Sequence, residues 1–238
     1  MASEKILAFS SSRSGSSSFL EKAAPVITGF IGRQANIAFL GFADAESKYQ
    51  EYGLAVQNAL KNPGYKINVA LPANASSVIE DSDAIMVGGG NTFKLIHDLQ
   101  KLNLLNLIRE KVHDATPYIG WSAGSNILAP TISTTNDMPV IEPESFKALQ
   151  LFSFQINPHY FNQTIIGFNG ESRDDRLIEF LKINPGVAVV GLPEGSFLKL
   201  EKNVLQYFGE NDGVLFQISA TGFSKNNIQP AADISFLL

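Results

Sequence analysis

The chain has 238 residues, 45% of them hydrophobic and 17% charged, with a mean hydropathy of +0.04. That is enough apolar material for a sizeable core, which excludes a disordered chain, and one α/β domain over residues 1–238 is expected. Eighteen Lys and Arg against 23 Asp and Glu leave a net charge of −5 with no basic cluster, so there is no electrostatic footprint for nucleic acid.

From the N-terminus, Met1-Ala2-Ser3-Glu4-Lys5 lacks the basic region and apolar stretch of a signal peptide. No uninterrupted apolar run reaches the roughly 18 residues of a membrane span. Without Cys there is no disulfide framework, thiolate zinc site or cysteine nucleophile, and the expected location is the cytoplasm. Extended segments are expected at 5–10, 35–42, 66–71, 84–88, 117–121, 151–157, 187–192, 197–201, 203–208 and 213–219. Many are rich in Ile, Val and Phe with little alternation, as strands buried on both faces are. Helical patterns lie between them at 47–61, 92–113 and 172–183, the last opening on a Ser cap with acidic first-turn residues. The alternation reads as a mostly parallel sheet flanked by helices, with an antiparallel extension near the C-terminus. Residues 10–18 (SSSRSGSSS) read as a flexible loop capping the next helix rather than an anion-cradling loop after the first strand, since no Walker pattern accompanies them.

Gly120-Trp121-Ser122-Ala123-Gly124 fits G-x-S-x-G, a strand-to-helix turn that holds a serine hydroxyl in a tight bend. The pattern alone is weak, since chance produces it in a chain of this length with probability roughly 0.1. Its context is what counts. Pro117-Tyr118-Ile119 precedes it as a strand, and Ser125-Asn126-Ile127-Leu128 follows as a helix start. Gly88-Gly89-Gly90-Asn91 ends another strand, where bare backbone N–H groups can face an oxyanion, or where Asn91 can cap the next helix. Of three histidines, His97 lies mid-helix and His113 at a helix end, which leaves His159 as the base for Ser122. Two carboxylates can orient it: Glu194 directly after a buried run, and Asp137 in a polar loop. Sites in open sheets gather at the carboxyl ends of strands, which favours Glu194. Arg173 opens a helix, where its planar fork can bind a substrate carboxylate or pair with Glu171 or Asp175. No metal-ligand spacing is apparent.

Five ordered blocks, GGGNTF, YIGWSAG, TTNDMP, QINPHY and GLPEG, together resemble the peptidase E family of serine peptidases, which also contains cyanophycinase. The resemblance covers most of the chain. It implies a fold similar to class I glutamine amidotransferases, with serine in place of the cysteine nucleophile. It also implies cofactor-free cleavage of dipeptides with an N-terminal aspartate; a β-aspartyl or cyanophycin-type peptidase of the same family, or a catalytically silent binding module on this fold, is the alternative, and a monomer or homodimer is expected. On it, Ser122 matches the nucleophile and His159 the base, with Asp137 and Glu194 both open as the acid. In the mechanism this suggests, the backbone N–H groups of Gly89, Gly90 and Ala123 hold the oxyanion, and Arg173 and Asn91 are substrate-binding candidates. Ser125 stands where relatives often carry alanine, and the stretch between His159 and Gly170 looks less like the family.

Overall fold

A computed structural model describes residues 3–162, 167, 169–219 and 222–238. Uninterrupted apolar runs form its centre. ILAF at β1 (Ile6–Phe9), AIMV at β4 (Ala84–Val87) and YIGW at β5 (Tyr118–Trp121) are buried at every position. With β2 (Ala35–Leu40) and β3 (Tyr65–Val69) they pair in parallel in the order β3-β2-β4-β5-β1. Successive side chains then divide between two cores: Ile6, Ala8, Ala38 and Leu40 on one face, Leu7, Phe9, Ile37 and Phe39 on the other. This is why the runs show no polar alternation.

The expected parallel sheet is divided in two. β6 (Gln155–Pro158) and β7 (Val189–Leu192) pair in parallel in a second, four-stranded sheet, whose order is β11-β10-β7-β6. Its other members, β10 (Gly213–Ser219) and β11 (Gly222–Ile228), are antiparallel. The intervening β8 (Phe197–Glu201) and β9 (Val204–Phe208) return to the first sheet as its antiparallel edge beside β1, making seven strands there. The expected segment at 151–157 becomes strand only from Gln155. β11 escapes the sequence pattern because GFSKNNI is mostly polar and exposed, as an edge strand is.

The helices depart from expectation in three places. The pattern at 92–113 is two helices, α4 (Thr92–Lys101) and α5 (Leu104–His113), broken where Asn103 takes a left-handed φ of 55°. α1 (Ala23–Ile31) contains Pro25 and Gly29, both poor helix formers, and is held by burial of Ala23, Ile27 and Phe30. α3 (Ala75–Glu80) is too short to show a period. α2 (Tyr49–Leu60) and α7 (Arg173–Ile183) fall where their patterns predict, and α7 has a full capping box between Ser172 and Asp175. Leu177 and Leu181 of α7 pack on Val189, Val214 and Phe216 of the small sheet.

Candidate active site

The register of the large sheet brings two loops together. Val87 lies opposite Gly120 across β4 and β5, so the glycine run after β4 meets the turn after β5. At that turn Ser122 has φ 54° and ψ −114°, a sparsely populated backbone region that costs about 1–3 kcal/mol. The four-residue α6 (Ala123–Asn126) begins directly after it. The bend is tight enough that a Cβ on Gly124 would lie 2.2 Å from the Val87 carbonyl oxygen, and one on Gly89 2.9 Å from the Ser122 Cβ. Only glycine fits at either position.

The small sheet supplies the other half. Pro158 of β6 lies opposite Leu192 of β7, so His159 and Glu194 both follow paired strand ends. His159 Nε2 is 2.9 Å from Ser122 Oγ, and its Nδ1 is 3.0 Å from Glu194 Oε1. The serine thus stands at the end of a strand of one sheet and its two partners at strand ends of the other. They meet because the turn after Leu192 carries the chain from β7 to β8, and β8 lies beside β1. This arrangement can move a proton from the serine to the imidazole while a carboxylate holds the ring.

Asp137 is elsewhere. Its Oδ2 accepts the Thr92 N–H at 2.7 Å and the Thr135 hydroxyl at 3.2 Å, at the N-terminus of α4. Asn91 caps that helix: its Oδ1 accepts the Lys94 N–H at 3.1 Å, while its amide donates to the Met138 carbonyl at 2.8 Å. The structure therefore gives Asn91 a capping role and ties the 134–139 loop to the glycine run. The N–H groups of Gly89, Gly90 and Ala123 donate to no protein acceptor among the described residues. Tyr52, which the sequence reading did not single out, donates to the Gly89 carbonyl at 3.2 Å and accepts from Trp121 Nε1 at 2.9 Å. Burial pushes its phenol up to about 12, outweighing those two hydrogen bonds, so the donor is kept. A trans peptide points its N–H opposite its C=O. Holding the Gly89 carbonyl therefore also sets the direction of the Gly90 N–H.

Arg173 is half-buried, and its side chain has no hydrogen bond or ion pair among the described residues. Burial lowers its pKa, and the neighbouring Arg176 lowers it further, although the guanidinium stays a cation. The carboxylates around it are taken. Glu171 faces Arg176 at 3.8 Å, Asp175 caps through Ser172, and Asp174 accepts from Tyr160 Oη at 2.6 Å and pairs with Lys225 at 2.5 Å. Of the other histidines, His97 binds Asp98 at 2.9 Å and His113 binds Glu4 at 2.6 Å, both away from Ser122. The stretch flagged between His159 and Gly170 lies partly outside the described residues, at 163–166 and 168.

Residues 10–18 do not cap α1, whose N-cap is Lys22 without a side-chain capping bond; they reach the site instead. Ser10 is fully buried, and its hydroxyl donates to the Leu192 carbonyl at 2.7 Å and accepts the His159 N–H at 2.9 Å. Ser11 accepts the Gly195 N–H at 3.3 Å. Ser125 is also buried, with its hydroxyl on the Phe9 carbonyl at 2.7 Å.

A mostly parallel sheet, a serine at a strand-to-helix elbow and an imidazole–carboxylate pair behind it define the class as a serine-type peptidase. Comparison with known proteins gives the family. The sequence profile of peptidase family S51 matches residues 6–207, and the chain belongs to that family. It is 44% identical to the peptidase E of Nostoc sp., over 99% of this chain and 97% of the relative. It is also 44% identical to the peptidase E of Haemophilus influenzae, over 90% and 92%. Among solved structures, a Listeria monocytogenes EGD-e protein superposes with a TM-score of 0.64 at 20% identity, covering 87% of this chain and 99% of that one. A peptidase from an acI-B1 actinobacterium gives 0.63 at 13% identity, over 98% and 97%. These likenesses show the fold, that of the class I glutamine amidotransferases. No helix among the described residues is long and apolar enough to cross a membrane.

Proposed function

We propose that this peptidase hydrolyses dipeptides with an N-terminal aspartate, using Ser122 as nucleophile, His159 as base and Glu194 as the carboxylate that orients it. The observation that carries the reading is the continuous line from Ser122 Oγ through the His159 ring to Glu194 Oε1, at 2.9 and 3.0 Å. Ser122 attacks the carbonyl carbon of the aspartyl residue as His159 Nε2 takes the hydroxyl proton. The oxyanion lies against the unpaired N–H groups of Gly89, Gly90 and Ala123. Collapse breaks the C–N bond, and His159 returns its proton to the leaving amine. Water, deprotonated by the same imidazole, then releases aspartate from the acyl-enzyme.

Arg173 accounts for the aspartyl preference. A half-buried guanidinium whose acidic neighbours are all engaged is free for a carboxylate brought by substrate. A neutral side chain at that position leaves the cation desolvated and unpaired, which disfavours it by orders of magnitude. The test is release of free aspartate from Asp-Leu, beside Leu-Asp, Ala-Leu and a β-aspartyl dipeptide, with wild type and Ser122→Ala. Cleavage of Asp-Leu alone, lost in Ser122→Ala, is expected. Cleavage of only the β-linked peptide would move the protein to the cyanophycinase side of its family. No cleavage by folded wild type would sink the reading.

A further inference from the structure

We infer that Ser10 and Asn136 are positioning residues that clamp the Pro158–His159 peptide and so aim the imidazole at Ser122; the inference rests on the role proposed above for His159. His159 has a φ of 52°, a left-handed backbone that a side chain with a Cβ rarely adopts unless its surroundings impose it. What imposes it here is visible atom by atom. The His159 N–H is held by the Ser10 hydroxyl at 2.9 Å, and the Pro158 carbonyl by the Asn136 amide at 2.8 Å. Both polar groups of one rigid peptide are therefore gripped by side chains, from loops far apart in the chain. With that plane fixed, the ring has little freedom beyond its own torsions, and Glu194 restrains those.

Each clamp is itself held. Ser10 follows β1, its N–H donates to the Ser196 carbonyl at 2.9 Å, and its hydroxyl proton goes to the Leu192 carbonyl at 2.7 Å. One buried hydroxyl thereby joins the end of β1, the His159 turn and the end of β7. β1 pairs directly with β5, which Ser122 follows, and the Ser122 N–H donates to the Phe9 carbonyl at 3.1 Å, one residue before Ser10. The serine and its two partners are thus referenced to a single point where the two sheets meet. Asn136 takes its orientation from Asn157, whose amide donates to Asn136 Oδ1 at 2.7 Å and to the Thr134 carbonyl at 2.8 Å. Among the described residues neither clamp side chain hydrogen-bonds to the His159 ring or to Ser122 Oγ, so both act through the backbone of His159.

The variants are Ser10→Ala, Ser10→Thr and Asn136→Asp, the last keeping the acceptor for Asn157 while losing the donor to Pro158. Displacing the base by a fraction of its reach predicts a fall in kcat on Asp-Leu of about 10- to 100-fold in Ser10→Ala and Asn136→Asp, with KM unchanged. Ser10→Thr, which retains the hydroxyl, recovers most of the loss. In a His159→Ala background, Ser10→Ala has no further effect on kcat. Crystal structures of the variants supply the reading that needs no substrate: His159 Nε2 out of hydrogen-bond reach of Ser122 Oγ. An imidazole unmoved in Ser10→Ala and Asn136→Asp would overturn the inference, as would an equal loss from Ser10→Ala with and without His159. Asn136 is exposed, so its variant keeps the test decisive where Ser10→Ala does not fold. Wild type inactive on Asp-Leu, with a displaced ring in the variants, would overturn the substrate reading and leave this one standing.

Discussion

Two acidic loops flank the site, and their carboxylates do opposite things. In the 134–139 loop, Asp137 places one oxygen on a helix N–H and a threonine hydroxyl, where the helix dipole also favours its charge. In the turn after β7, Glu194 is 58% exposed and its bonding partner is the His159 ring. The lone pairs of one are taken up by the fold, while those of the other face the imidazole that the proposed mechanism charges. A carboxylate bonded to backbone holds structure. One bonded only to an imidazole is free to follow a proton.

The largest effects break this contrast outright. Glu194→Gln removes the charge that stabilises the imidazolium and offers an amide N–H to Nδ1, so kcat on Asp-Leu is expected to fall by about 10²–10⁴ with an unchanged melting temperature. Stopped assays of aspartate release across the two variants decide the matter. If Asp137→Asn instead shows the larger fall in kcat, the roles are reversed. Next in size is Arg173→Met. With the guanidinium gone, kcat/KM for Asp-Leu is expected to fall about 10²- to 10³-fold, while discrimination against Ala-Leu narrows. Equal losses on both substrates would remove Arg173 from recognition and make it a packing residue of α7.

Asp137→Asn belongs lower on the scale and in another quantity. Losing a charged acceptor at a helix N-terminus is expected to cost about 1–2 kcal/mol, a drop of roughly 2–6 °C in Tm. Turnover should stay within about threefold, because no atom that touches His159 has changed. Calorimetry and steady-state kinetics on the same preparation separate the two readouts. A stable variant with little activity would contradict the structural role.

How much of this was legible beforehand depends on whether a role is carried locally or by tertiary contact. Ser122 could be found because its glycines encode the bend. His159 could be found because the other two histidines sit on helices, and Glu194 because a buried apolar run places it at a strand end. Three of the five parallel strands, β1, β4 and β5, could be read from runs buried at every position. The division into two sheets could not, since a four-residue run such as QINP carries no mark of which sheet it joins. Nor could the break at Asn103, where a side chain that tolerates positive φ interrupts an otherwise continuous apolar period. Ser10 lay hidden for a different reason. In a segment of seven serines interrupted only by Arg13 and Gly15, the one that is fully buried differs from its neighbours solely in what the fold brings against it.

Ser125 tests the contrast at its smallest scale. It follows Ser122 by three residues, is fully buried, and its hydroxyl donates to the Phe9 carbonyl that also accepts the Ser122 N–H. Proximity to Ser122 would suggest a catalytic part, but its bonding is of the Asp137 kind, directed wholly at backbone. Ser125→Ala strands no partner, since Phe9 keeps its bond from Ser122 and the lost group was the donor. The expected cost is therefore no more than about 1 kcal/mol of stability, with kcat on Asp-Leu unchanged. Denaturant unfolding and turnover measured together check it. A tenfold loss of kcat at full stability would mean that a hydroxyl bonded to backbone can still tune the elbow, and the rule drawn from Asp137 and Glu194 would fail where the two sheets come closest.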